Sequence, residues 1–324
     1  MGKFTKVYGL LKMGGSRAIL LKVRDKLTGA FKLNEYLYKL QESAEPSAYR
    51  NLLENYYMYR TGEKLDLDHP RTFNEKIQWL KLYDSTPEKT RLADKYLVRE
   101  WIKEKIGEEY LIPLLGVWDC FDDIDFNMLP DQFVLKCNHG SGWNLIVEDK
   151  SKLDIVDAKQ KFDKWMSLNF AFYAGLELHY RDIKPKIIAE KYMTDESGTE
   201  LKDYKIFCFS GVPKFIQVDY SRFHGHRRNL YNTKWEFIDA SIAYPNDINH
   251  KILRPAQLSS MIELASKLSN NFPMVRVDFY CIQDNVENHL FFGEMTFTHG
   301  SGMEKFNPQS LAINMGEWIK IPCV

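Results

Sequence analysis

A lysine set inside an apolar run, Phe133-Val-Leu-Lys-Cys137, and followed at once by Asn138-His-Gly-Ser-Gly142, constrains this chain more than any other feature. A short apolar run bounded by glycines reads as a β-strand, and Leu145-Ile-Val147 as its hairpin partner. An ammonium inside such a strand is costly to desolvate unless it meets a partner. The glycines let backbone N–H groups approach an anion closely. Lys136 and the loop therefore form a phosphate cradle, or Lys136 is an ordinary lysine on an exposed strand face.

The same four residues recur as His299-Gly-Ser-Gly302, again just after a strand. That strand, Leu290–Met295, pairs with Val275–Tyr280 across the polar turn at Gln283-Asp-Asn285. Arg276, Asp278 and Tyr280 share one face of the first strand, and Glu294 sits on the second. Two neighbouring carboxylates repel unless a cation lies between them. Hard oxygen ligands of this kind suit Mg²⁺. The alternative is that one carboxylate pairs with Arg276.

The rest of the chain reads as mixed α/β. Residues 42–105 have helical spacing, with a capping box at Thr72-Phe-Asn-Glu75 opening one helix. Residues 152–178 and 258–272 are further helices. Ile187–Glu190 is a short strand, and Tyr204–Phe209 with Lys214–Val218 is a hairpin. The fold class is thus α/β (α+β), with mostly antiparallel pairs in the second half.

Several classes of function are excluded. Lys+Arg 44 balances Asp+Glu 44, which argues against a protein built to grip nucleic acid. The 5 cysteines are scattered and form no CxxC, so neither a disulfide framework nor a zinc ribbon is expected, and a cytoplasmic setting fits. There is no GxxxxGK[ST], no strand-following GxGxxG and no HExxH. Residues 1–40 are locally different, with 9 Lys/Arg among apolar residues against Asp25 and Glu35 alone. Such a segment lies on an anionic membrane surface, at the inner face of the membrane, or is a solvated helix packed on the body.

Taken in order, the motifs from about Leu92 to Met303 resemble the ATP-grasp ligases. Ala93-Asp-Lys95 before a helix resembles the family's opening, and Phe133–Gly142 its strand–lysine–glycine loop. Glu190-Lys-Tyr-Met193 resembles the adenine hinge, and Asp203-Tyr-Lys205 follows where a ribose-binding acid is expected. Arg276-Val-Asp278 and Glu294-Met-Thr296 resemble the metal strands. The wording FVLKCNHGSGWN, DYKIFCFSG and GEMTFTHGSG is similar to the TupA-like branch of capsular polysaccharide and teichuronopeptide gene clusters. Many family members carry Asn where this chain has Thr296.

The resemblance implies two α+β lobes clasping ATP, residues 91–195 and 196–324, behind a helical region 1–90. It implies a carboxylate–amine ligase that activates a uronic-acid carboxylate of a cell-surface glycan as an acylphosphate and joins it to an amino acid or amine. The cofactors implied are ATP and one or two Mg²⁺, with Mn²⁺ as a substitute. Lys95, Lys136, His139, Gly140, Ser141, Gly142, Glu190, Lys191, Tyr192, Met193, Asp203 and Lys205 would hold the nucleotide. Asp278, Glu294 and Thr296 would hold metal, and Arg276, with Lys95 and Lys136, would act in catalysis. Arg222, Arg227 and Arg228 would bind substrate carboxylates or form a solvated loop; His299, Gly300 and Ser301 would cradle the acyl group. The alternatives are a sugar phosphotransferase and a non-catalytic nucleotide-binding component of a glycan assembly complex.

Overall fold

The computed structural model describes residues 2–194, 201–221, 225–283 and 288–321. The chain forms two compact units, one of Met1–Thr86, Asn169–Arg181 and Thr298–Val324, the other of Pro87–Leu168 and Asp182–Phe297.

The first unit is helical. It contains α1 (Gly2–Thr28), α2 (Lys32–Glu42), α3 (Tyr49–Thr61) and α4 (Phe73–Tyr83), with a C-terminal helix at Gln309–Trp318. The capping box opens α4 as the sequence predicts. Thr72 Oγ1 accepts from the Glu75 N–H at 3.3 Å, and Glu75 Oε2 accepts from the Thr72 N–H at 2.8 Å. Leu10, Met13 and Ala18 of α1 pack with Leu33, Leu37 and Tyr56 to make one core. A second centre is polar. The fully buried Lys81 ammonium donates to the carbonyls of Gly175 (2.9 Å) and Ser301 (2.7 Å), to Gln78 Oε1 (3.1 Å) and to the Ser301 hydroxyl (2.6 Å). Burial pushes this lysine down to about 8, and the buried carboxylate of Glu177 opposes that shift.

The second unit holds α5 (Pro87–Ala93), α6 (Val98–Lys105), α7 (Ile155–Met166), α8 (Leu258–Ser269) and two antiparallel sheets. The four-stranded sheet has β1 (Leu114–Trp118), β2 (Phe133–Cys137), β3 (Asn144–Val147) and β4 (Ile187–Lys191) in the order β1-β4-β2-β3. The six-stranded sheet contains β5 (Asp203–Phe209), β6 (Val212–Tyr220), β7 (Arg227–Asn232), β8 (Phe237–Ile238), β9 (Val275–Gln283) and β10 (Asn288–Thr296). Its order is β10-β9-β5-β6-β7-β8. Alternation decides its faces. Val275, Val277 and Phe279 are fully buried, and α8 covers the sheet with Met261, Ala265 and Leu268. Arg276, Asp278 and Tyr280 therefore take the opposite face. The β5–β6 turn is tighter than the sequence suggests: Ser210 and Gly211 make it alone, both at positive φ (47° and 82°).

Candidate active site

Within the second unit, the two sheets and α6 line one cleft. Its walls include Lys95, Arg99, Lys136, Gly142, Trp143, Glu190, Tyr280 and Glu294. The enclosed space is about 110 Å³, well below the roughly 300–1,000 Å³ of ordinary small-molecule sites.

The cationic wall comes from three local structures. Asp94 Oδ1 accepts from the Tyr96 and Leu97 N–H groups (2.8 and 3.1 Å), and Val98 N–H donates to the Asp94 carbonyl. This turn leads into α6 and sets Lys95 and Arg99 one helical turn apart on a common face. Lys136 projects from β2, which pairs on one side with β3 and on the other with β4. Glu190 on β4 receives Lys136 Nζ at 2.6 Å and Arg99 Nη1 at 3.0 Å, so one buried carboxylate balances two cations. Lys95 Nζ donates to the Gly140 carbonyl and lies 3.9 Å from Glu294 Oε2.

Glu294 on the opposite wall belongs to a row across three strands. Glu294, Asp278 and Lys205 are direct cross-strand neighbours on β10, β9 and β5. Arg276 grips Asp278 with both oxygens, Nε–Oδ1 and Nη2–Oδ2 each 2.7 Å, and reaches Glu294 Oε1 at 2.8 Å. Lys205 Nζ lies 2.7 Å from Asp203 and 3.2 Å from Asp278. Thr296 donates to Glu294 Oε1 at 2.7 Å. Burial would raise Glu294, but Lys95, Arg276 and Lys205 together hold it down to about 2. Burial likewise works against the Arg276 charge, but Asp278 and Glu294 raise that guanidinium overall. The charge of Asp203, then burial, push the Tyr280 phenol well up.

The two carboxylates are paired with Arg276, the alternative that the sequence leaves open: the guanidinium holds both oxygens of Asp278 and one of Glu294. Two carboxylates and a hydroxyl converge, and Arg276 and Thr296 both bond Oε1 of Glu294, leaving Oε2 toward Lys95. Among the described residues no group of three or more His, Cys, Asp or Glu is placed to hold a metal. Further ligands would have to come from phosphate and water.

Of the expected residues, Lys95, Lys136, Gly142, Glu190 and Glu294 line the cleft, and others are placed differently. His139 turns inward: its ring nitrogens lie 3.2 Å from Asn138 Oδ1 and from the Trp165 carbonyl, and burial lowers its basicity. Gly140 offers a carbonyl to Lys95, Ser141 is exposed, and Gly142, at φ 74°, faces the cleft. β4 is flanked on both sides as far as Lys191, whose N–H donates to the Pro113 carbonyl. Strand pairing stops there, and Tyr192 and Met193 lie beyond the end of β4.

Of the expected substrate residues, Arg227 and Arg228 do not line the cleft. Arg222 lies outside the described residues. Arg227 is exposed, with Nη1 3.4 Å from the Asn246 carbonyl. Arg228 is buried; its guanidinium bonds Asp219 (2.7 Å) and the Ile242 carbonyl (3.0 Å) and stacks over Tyr244. His299, Gly300 and Ser301 belong to the helical unit, where Ser301 anchors Lys81. Sequence reasoning missed Arg99 and the site role of Tyr280. For Arg99 the signal was its spacing of one turn from Lys95.

A lysine-and-glycine-loop sheet facing a sheet that carries Arg276, Asp278 and Glu294 defines an ATP-grasp protein. The family model described as TupA-like ATPgrasp matches residues 75–320, and the chain belongs to that family. Solved structures similar to it include D-alanine–D-alanine ligase from Bacillus anthracis with ATP, at 15% identity and TM-score 0.38, covering 64% of this chain and 55% of that one. Biotin carboxylase from Campylobacter jejuni in an ATP complex has 13% identity and TM-score 0.38, covering 77% and 49%. A RiPP-associated ATP-grasp ligase from Chryseobacterium gregarium, with ADP and a leader and core peptide, has 12% identity and TM-score 0.33, covering 86% and 72%. The chain thus spans only about half the length of the first two. No curated protein sequence matches it.

Proposed function

We propose that this protein is an ATP-dependent carboxylate–amine ligase that activates a uronic-acid carboxylate of a cell-surface glycan, or its precursor, and joins it to an amino acid or amine. The observation that carries the reading is the cleft itself. Three cations line it together with Glu294, which Arg276 joins to Asp278, in a chain whose family is TupA-like ATP-grasp.

Lys95 and Lys136 hold the nucleotide phosphates, and Arg99 adds a third positive charge beside them. Tyr192 and Met193 read the adenine, and Asp203 takes the ribose. A divalent ion on Asp278 and Glu294 would neutralise phosphate oxygens and orient them. Arg276 holds the charge that develops when the carboxylate oxygen bonds the γ-phosphorus and the bridging oxygen leaves with ADP. The amine then attacks the acyl carbon, the C–O bond to phosphate breaks, and an amide and free phosphate result. Within residues 91–195 and 196–324, the two sheets of the second unit serve as the clasping lobes, while Asn169–Arg181 and Thr298–Val324 group with the helical region 1–86. The small enclosed volume means that the Gly140–Gly142 loop has to yield before a nucleotide enters, and its return excludes water from the acylphosphate.

The test is ³¹P NMR of the protein with Mg²⁺ and ATP, adding uronic acids and amino acids in turn. ADP and free phosphate that appear only with both substrates support a ligase. A phosphomonoester would establish the sugar phosphotransferase instead.

A further inference from the structure

The face of α1 that the helical unit leaves uncovered is apolar and edged with positive charge. The opposite face is fixed in place. A Cβ on Gly9 would lie 2.7 Å from the Tyr59 backbone nitrogen, so α1 and α3 meet backbone to backbone. Lys6 Nζ donates to the Arg60 carbonyl at 2.8 Å, and Arg17 and Lys22 lie over the rings of Tyr36 and Tyr59. These contacts set the rotation of the helix about its axis.

Phe4, Val7, Tyr8 and Leu11 then point outward, at the i, i+3, i+4, i+7 spacing of a single stripe. They are 86%, 46%, 52% and 46% exposed. Gly15, at φ 61°, breaks the helical run. Beyond it a second stripe follows, with Leu20, Val23 and Leu27 at 70%, 55% and 80%, and then Phe31 at 78%. Helical spacing places Lys3 and Lys12 on the two edges of the first stripe, and Arg24 and Lys26 on the edges of the second; all four are exposed. The acids are otherwise engaged: Asp25 accepts from the Leu33 N–H at 2.7 Å, and Glu35 pairs with Lys32 and Lys39.

An exposed apolar stripe of this extent marks an interaction surface. A second copy of the chain would present the same basic edges, and like charges would meet. An anionic lipid surface satisfies both features, taking the apolar side chains at its acyl boundary and the lysines at its headgroups. We propose that α1 docks this protein in the plane of an anionic membrane. No helix among the described residues is long and apolar enough to cross one. The inference is independent of the chemistry in the cleft.

The test is co-sedimentation of the full chain with phosphatidylcholine vesicles, with and without phosphatidylglycerol. Binding is expected only with phosphatidylglycerol and should weaken as salt is added. Lys3→Gln and Lys12→Gln should each reduce partitioning by about fivefold. A quadruple variant, Phe4→Ser, Leu11→Ser, Leu20→Ser and Leu27→Ser, should lose binding and keep its thermal transition, because none of these side chains is in the core. Equal binding to neutral vesicles, or full binding by the quadruple variant, overturns the proposal. So does absence of vesicle binding combined with a dimer, seen by light scattering, that the same four changes disrupt.

Discussion

Glu294→Gln separates the electrostatics of the cleft from its shape. Glutamine keeps a carbonyl for Thr296 and Arg276 but removes the charge that Lys95, Arg276 and Lys205 stabilise. The folded carboxyl sits at about 2 against an ordinary 4.5. At about 1.4 kcal/mol per unit, that depression is worth at most roughly 3 kcal/mol of stability at pH 7. Partial solvent access to the side chain, 30% exposed, reduces the expected loss to about 1–3 kcal/mol. The folded value is depressed, so the contribution is present above pH 4.5 and lost as pH falls toward 2. Urea unfolding of both proteins across that range gives the difference directly, with the other carboxylates cancelling. The gap should be full at pH 7 and close between pH 4.5 and 2. Turnover of ATP should fall about 10²–10³-fold at pH 7. A gap that does not change with pH, or no gap at all, would refute the electrostatic reasoning.

Lys136→Ala should lower kcat by about 10²–10³-fold, read by coupled ADP release, if Lys136 faces the phosphates as proposed. Gly9→Ala should destabilise the protein by about 1–3 kcal/mol in urea melts, since the methyl group would press on the backbone of α3. Lys81→Met should cost about 3 kcal/mol or more. It takes the ammonium donor from the Gly175 and Ser301 carbonyls, leaving the latter only Gln78 Nε2, and removes the charge that offsets the burial of Glu177; differential scanning calorimetry would show the lowered Tm.

Local pattern made much of this fold legible. Phe133–Cys137 matches β2 residue for residue, the Thr72 capping box forms, and the Asp278–Glu294 neighbours fall in register. Each of these depends on alternation or on spacing within a few residues. What escaped depends on long-range partners. Arg228 resembles a substrate ligand in sequence, yet Asp219, nine residues earlier on the paired strand, takes its guanidinium. The two His-Gly-Ser-Gly strings are identical and do different work. In the first, Gly142 opens on the cleft and Lys95 bonds the Gly140 carbonyl; in the second, Ser301 is held by Lys81 from α4. Lys81 itself gives no sign in sequence of being fully buried, because its four acceptors come from residues scattered along the chain.

If a carboxylate oxygen is phosphorylated in this cleft, that oxygen must leave with the phosphate. The decisive experiment gives the protein a uronic acid labelled with ¹⁸O in its carboxylate, with ATP, Mg²⁺ and an amino acid. The label should move into the released inorganic phosphate, seen as an isotope-shifted ³¹P signal, as the amide forms. Label appearing in AMP, or amide formed with unlabelled phosphate, would contradict that phosphorylation.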